Sequence, residues 1–218
     1  MNPRNVADRR NVPDELERAS FGVKPGLKGY VKMFPIYVLR HGQTEWNAEG
    51  RYQGHKNSPL TALGRYQAFR QGEILRSKAI AASVWASPIG RARDTALIAT
   101  AHMKTKTQFD DDLKEITMGA FDGLTKDEIV ERYPEFDPYV KGWTAEDYGG
   151  ENNADVYARA RAVLQRLEGP TILVTHGVYS RYLRGIILGL SHEDAMWLPQ
   201  EQGCIYALEN GEEEIWAE

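Results

Sequence analysis

The chain has 218 residues, 42% hydrophobic and 27% charged, a balance typical of a soluble globular protein with enough length to bury a sizeable core. Lys and Arg number 27 against 31 Asp and Glu, and the formal charge of −4 argues against a general binder of nucleic acid or of anionic membranes. The single cysteine, Cys204, excludes an intrachain disulfide and a cysteine-based zinc site, and no apolar run is long enough to span a bilayer.

Residues 1–33 carry prolines and glycines with little periodicity, and they read as an arm or linker outside the core. They hold no apolar h-region, and Asp8, Asp14, Glu15 and Glu17 fit a transit peptide poorly, so a cytoplasmic location is expected. Residues 34–218 read as one α/β domain. Phe34–Leu39 is the first strand, with Pro35 at its start, where a missing N–H does least harm. A helix follows in "SPLTALGRYQAFRQGEIL", with Gly64, Ala68, Gly72 and Leu75 on one face, small enough to sit close to a sheet. Ala82–Ala86 is a second strand, after which Ser87-Pro88 reads as N-cap and first residue of a helix. Thr107–Phe109 is a third strand.

Thr125 and Glu128 form a capping box for a short helix that Pro134 stops. Val156, Ala160, Val163, Leu164 and Leu167 make a helical stripe closed by Gly169-Pro170. "TILVT", Thr171–Thr175, is the most strand-like run in the chain, and a helix over Tyr179–Leu188 follows. The tail folds as a hairpin around Asn210-Gly211, with Cys204 a small apolar residue of its strand. Trp46, Trp143 and Trp197 are expected to pack rather than to serve as substrate platforms. Alternating strands and helices imply a three-layer α/β/α domain with a mostly parallel central sheet. Ligands in such sheets bind at the carboxyl ends of the strands. Arg40-His41 and His176-Gly177 each stand just past a strand end, and Ser87 with the Arg91 helix stands past another.

Two histidines and two arginines on one rim suit an oxyanion. Arg40 and Arg91 can grip phosphate oxygens bidentately, and Arg91 falls in the first turn of its helix, where free N–H groups favour an anion. Two guanidinium charges would offset a phosphate monoester dianion without a metal. Neighbouring cations keep an imidazole neutral and therefore nucleophilic. His41 is accordingly expected to attack phosphorus, with His176, Arg40 and Arg91 stabilising the equatorial oxygens. The glycine after each histidine is expected to let backbone and phosphate approach closely. Glu115 in "DLKEITMGAFDG" is the candidate proton donor to the leaving alkoxide. No His-x-His or His-Glu-x-x-His spacing supports a metallohydrolase. His55, His102 and His192 read as surface or loop residues, with His55 the one placed to reach the pocket mouth.

The segment "LRHGQTEWN" resembles the Arg-His-Gly signature of the histidine phosphatase superfamily, the phosphoglycerate mutase-like family. The similarity continues in family order through "RYQGHKNSPLTALGRYQA", "SPIGRARDTA", "EITMGAFDG" and "VTHG". It implies the family fold, metal-free catalysis without a cofactor, and the roles above for Arg40, His41, Arg91, Glu115 and His176. Asn47 matches the family's phosphate-pocket asparagine, and Thr44, Gln53 and Gly54 fall where the family places residues near phosphate or substrate. Three positions depart from the family pattern: Gln43 for Glu, Phe121-Asp122 for Trp-Glu, and Asn152 for Ser. Glu115 and His176 stand 61 positions apart, similar to the phosphatase branch and shorter than in the cofactor-dependent mutases. A phosphatase of small phosphorylated metabolites is therefore expected. The alternatives are a phosphoglycerate mutase-type transferase and a catalytically silent phosphate-binding domain. Asp122 to Tyr148 is expected to form a cap, with Tyr133, Phe136, Tyr139, Trp143 and Tyr148 as its apolar material. Oligomeric state is not legible.

Overall fold

Strand β1 (Ile36–Arg40) shows why the sheet is covered on both sides. Its Ile36 and Val38 pack into one apolar cluster, while Tyr37 and Leu39 pack into another, as the two-residue period of a strand requires. Val38 and Leu39 are fully buried, each stabilising the fold by about 1.5–3 kcal/mol. The computed structural model describes residues 34–136 and 145–217; the predicted arm and the cap residues Tyr139 and Trp143 lie outside them.

Six strands form the sheet in the order β3-β2-β4-β1-β5-β6, with β2 at Ser83–Ala86, β3 at Thr107–Phe109, β4 at Thr171–Thr175, β5 at Ile205–Glu209 and β6 at Glu212–Trp216. Strands β3, β2, β4 and β1 run parallel, whereas β5 pairs antiparallel with both β1 and β6. Asn210 and Gly211 make the β5–β6 turn with positive φ at both positions, +54° and +80°, the pairing that matches strand twist.

Among the described residues there are seven α-helices: α1 (Glu45–Ala48), α2 (Ala62–Ser77), α3 (Gly90–Ala99), α4 (Lys126–Arg132), α5 (Asn153–Arg166), α6 (Gly177–Leu188) and α7 (His192–Met196). On one side of the sheet Ile74 and Leu75 of α2 join Ala96 and Ala99 of α3. On the other side Val156, Ala160, Val163 and Leu164 of α5 meet Tyr179, Tyr182 and Leu183 of α6. The predicted small face of α2 is real, though its contacts are helix and loop. A Cβ on Gly72 would stand 2.7 Å from the Ala99 carbonyl oxygen, and one on Gly64 would stand 2.0 Å from that of Gln43.

A third cluster sits beside the sheet, where the rings of Tyr133, Phe136 and Tyr148 surround Phe121 with centroids 4.5–5.0 Å away. These cap residues therefore pack on one another. Trp197 is 83% exposed, against the expectation that it packs; it follows the last turn of α7 and faces solvent. Cys204 is buried just ahead of β5, and burial pushes its thiol pKa up. No helix among the described residues is long and apolar enough to cross a membrane.

Candidate active site

The sheet register brings the candidate residues level. Arg40 of β1 pairs with Thr175 of β4, the His41 N–H donates to the Thr175 carbonyl at 2.9 Å, and the Ser87 N–H donates to Val174 at 3.0 Å. His41, Ser87 and His176 are thus the first residues past three parallel strands. The two imidazoles stand 5.2 Å apart, centroid to centroid.

His41 is 2% exposed, and its hydrogen bonds fix a single tautomer. A carbonyl can only accept, so Nδ1–H donates to Gly42 O at 2.8 Å. Nε2 is left with its lone pair, and the Arg91 Nε–H donates to it at 3.2 Å. Burial, then the charges of Arg91 and Arg40, hold the His41 pKa well below the usual histidine value. Burial, then Arg91 and His41, do the same at His176, whose Nε2 pairs with Ser87 Oγ at 2.8 Å. Both rings are neutral at neutral pH.

Arg91 is 1% exposed, and its fork is committed to the chain. Nη1 donates to Lys56 O at 2.6 Å and Nη2 to Gly54 O at 2.8 Å. These bonds and the one to His41 use three of its five N–H donors. Burial lowers its pKa to about 10, so it remains a cation. Arg40 Nη1 donates to Gln200 O at 2.5 Å, and burial lowers its pKa too. Gln71 of α2 ties this strand end down by donating to Arg40 O and Cys204 O at 3.1 and 2.9 Å. Among the buried polar atoms without a partner are Arg40 Nε, His176 Nδ1 and Gln53 Oε1.

Glu115 reaches the same rim from a loop. Its Oε1 accepts from the N–H groups of Tyr179 (2.9 Å) and Ile116 (3.0 Å), and Oε2 accepts from Val178 N–H at 3.2 Å. The carboxylate therefore sits on the first turn of α6, whose N-cap is His176. Glu115 and His176 are fastened to one helix end.

Several expectations change. Ser87-Pro88 does not start α3: Ile89 is the N-cap and Gly90 the first helical residue. The Ser87 hydroxyl instead accepts from Ile89 N–H while bonding His176. Helix α6 starts at Gly177, two residues before the expected Tyr179. The glycines after the histidines serve protein contacts, since a Cβ on Gly42 would stand 2.1 Å from Gly64 O and one on Gly177 would stand 2.4 Å from Gln200 Oε1. The Arg91 N–H is not free for an anion, because Asn57 Oδ1 accepts from it at 2.9 Å. Thr44 and Asn47 form the capping box of α1, and Asn47 Oδ1 accepts from Thr44 N, Thr44 Oγ1 and Gln202 Nε2. Asn152 is the cap of α5.

Gly54 has φ +49°, and a Cβ there would overlap the Asp122 carboxylate. Asp122 is buried and accepts from Met118 N, His55 N and Thr117 Oγ1 at 2.7–3.1 Å, while Lys56 Nζ donates to its carbonyl. It binds the loop that holds Arg91 to the loop that follows Glu115. The sequence reading noted Asp122 only as a departure from the family pattern; a buried carboxylate is needed here because N–H and O–H donors from both loops point at it. His55 Nε2 donates to Glu115 O at 2.9 Å, on the loop that carries Glu115. Among the described residues no three His, Cys, Asp or Glu side chains are grouped to hold a metal ion.

The model of the histidine phosphatase superfamily (branch 1) matches residues 36–218. The probable phosphoglycerate mutase GpmB of Salmonella paratyphi A is 36% identical over 165 residues, covering 72% of this chain and 76% of that one. A mycobacterial glucosyl-3-phosphoglycerate phosphatase, solved as a complex with VO3, superposes with a TM-score of 0.74. It is 28% identical and covers 85% of this chain and all of that one. YhfR of Bacillus stearothermophilus gives a TM-score of 0.71 at 31% identity, over 85% and 96% of the two chains. With its strand-end histidines set side by side on this fold, the chain belongs to the histidine phosphatase superfamily.

Proposed function

We propose that this protein is a metal-independent phosphatase that hydrolyses small phosphate monoesters through a phosphohistidine on His41. The observation that carries this reading is the state of the His41 ring: Nδ1–H is tied to a carbonyl, and Nε2 holds an unshared pair beside a guanidinium. That is the nitrogen a nucleophile needs. An arriving phosphoryl group takes over the Arg91 Nε–H, which frees the lone pair to attack phosphorus. Arg40 Nε and His176 Nδ1, buried and unpartnered in the protein, become donors or neighbours to the equatorial oxygens. Gln53, its amide reversed, would add an N–H₂. Arg40 and Arg91 supply the positive charge that a dianion requires.

The departing alkoxide takes a proton from Glu115. Its carboxylate must first release one of the α6 N–H groups it now holds and take up a proton from water, which the negative charge of the arriving phosphate favours. Water then attacks the phosphohistidine with Glu115 as base, returning His41 and inorganic phosphate. Thr44, Asn47 and Gly54 support the pocket through α1 and the Arg91 loop. The similarity to a named phosphatase structure supports hydrolysis, while the relative named as a probable phosphoglycerate mutase keeps phosphoryl transfer as a second reading.

The test is where the phosphoryl group goes. A labelled aryl phosphate is turned over with and without a phosphoglycerate acceptor. The phosphatase reading expects inorganic phosphate in both cases. Label transferred to the acceptor would establish the mutase, and no label on protein or product would establish a silent binder. A panel of phosphate monoesters ranked by kcat/KM then names the substrate class.

A further inference from the structure

We propose that Arg159, held by Glu151, is the positioning residue of the Glu115 acid; this rests on the proton-donor role given to Glu115 above. Glu115 stands on a loop after the 3-10 turn Asp111–Leu113, and no strand ladder fixes its backbone. A side chain from α5 does so instead. Arg159 Nη1 donates to Asp112 O at 2.9 Å and to Lys114 O at 2.8 Å, and Nη2 donates to Glu115 O at 3.3 Å. The other edge of the guanidinium grips Glu151, Nε to Oε1 at 2.8 Å and Nη2 to Oε2 at 3.1 Å. Glu151 Oε2 in turn accepts from Thr117 N–H at 3.1 Å. The pair therefore fastens the loop on both sides of Glu115.

The guanidinium also lies over the Tyr179 ring, 4.0 Å from its centroid, and Tyr179 N–H is one of the donors to the Glu115 carboxylate. Arg159 thus touches the backbone that carries the acid and the residue that holds its carboxylate. This arrangement leaves the Glu115 side chain with a fixed pivot. It can swing from the end of α6 to the leaving oxygen without its Cα moving, and placement to within about 1 Å decides rates of proton transfer. A lysine at this position keeps the charge but cannot span three carbonyls and a carboxylate with a planar fork.

The test compares leaving groups. Wild type, Arg159→Lys, Glu115→Gln and the double variant are assayed for kcat/KM on a series from alkyl to nitroaryl phosphates. Arg159→Lys is expected to reproduce the Glu115→Gln pattern in milder form, a loss of roughly 10- to 100-fold on alkyl phosphates and only a few-fold on nitroaryl ones. In the double variant the lysine adds no further loss. Should Arg159→Lys fail to fold, Glu151→Gln, which keeps the guanidinium and removes its carboxylate partner, carries the same comparison. Equal losses on all substrates from the Arg159 or Glu151 variant, beside a leaving-group-dependent Glu115→Gln, would reduce the pair to a structural staple and overturn the proposal. A Glu115→Gln profile that is itself flat would remove the acid and the proposal together.

Discussion

Helices α3 and α6, which begin at the strand-end rim, are capped differently from the others. Helices α1, α2, α4, α5 and α7 each begin at a Thr, Asn or Ser whose own side chain accepts from the first turn: Thr44, Thr61, Thr125, Asn152 and Ser191. Helices α3 and α6 begin at Ile89 and His176 with no side-chain cap of their own. Their first-turn N–H groups are met from 34 and 64 residues away in sequence, by Asn57 and by Glu115. The contrast teaches that the N-cap position at the rim is given over to the site. At α6 that position holds His176, and the capping duty passes to Glu115.

Breaking the borrowed caps tests this contrast most strongly at Glu115. Glu115→Gln should lower kcat/KM on alkyl phosphates by roughly 10²–10⁴, the usual worth of a general acid, and by much less on nitroaryl phosphates. Steady-state assays over the series measure it. An equal loss across substrates would leave Glu115 a cap and nothing more.

The buried histidines give the next effect, on stability against pH. Both have folded pKa values below the unfolded value of about 6.5. Below pH 6.5 the unfolded chain therefore binds more protons than the native one, and stability falls as pH falls until the folded values are reached. The two rings together give a slope of up to about 2.7 kcal/mol per pH unit. Denaturant melts from pH 7.5 to 5 should show the decline, and His41→Gln should reduce it. A flat profile would mean that the rings are charged or solvated in the native state.

Asn57→Ala removes the other borrowed cap. It should cost about 0.5–2 kcal/mol and, by loosening the turn that carries Arg91, lower kcat/KM roughly tenfold. Thr125→Ala, which breaks the self-made capping box of α4, should cost a similar amount of stability and leave kcat/KM unchanged. Equal kinetic effects from the two would erase the distinction between the classes.

The same contrast explains what the sequence made legible. Self-capped helices announce themselves locally, and the Thr125–Glu128 box and the Val156 stripe were readable without the fold. The strand ends that set Arg40, His41 and His176 on one rim followed from alternation of strands and helices. The start of α3 did not, because its cap comes from Asn57, and nothing near Ile89 marks it. The duties of Asp122 and Arg159 were illegible for the same reason: each acts on backbone groups dozens of positions distant, and the Gln200 carbonyl accepts from the equally distant Arg40 guanidinium. Thr44 and Asn47 were named for the site by resemblance alone, while their mutual hydrogen bonds emerged from the structure.

The central claim is that the neutral Nε2 of His41 takes the phosphoryl group. A single turnover with excess enzyme and a labelled nitroaryl phosphate, quenched in base and mapped by peptide, tests it directly. The account predicts a base-stable, acid-labile phosphate on His41 that rises and then decays as inorganic phosphate appears. Complete turnover with no label on His41 at any time would contradict it.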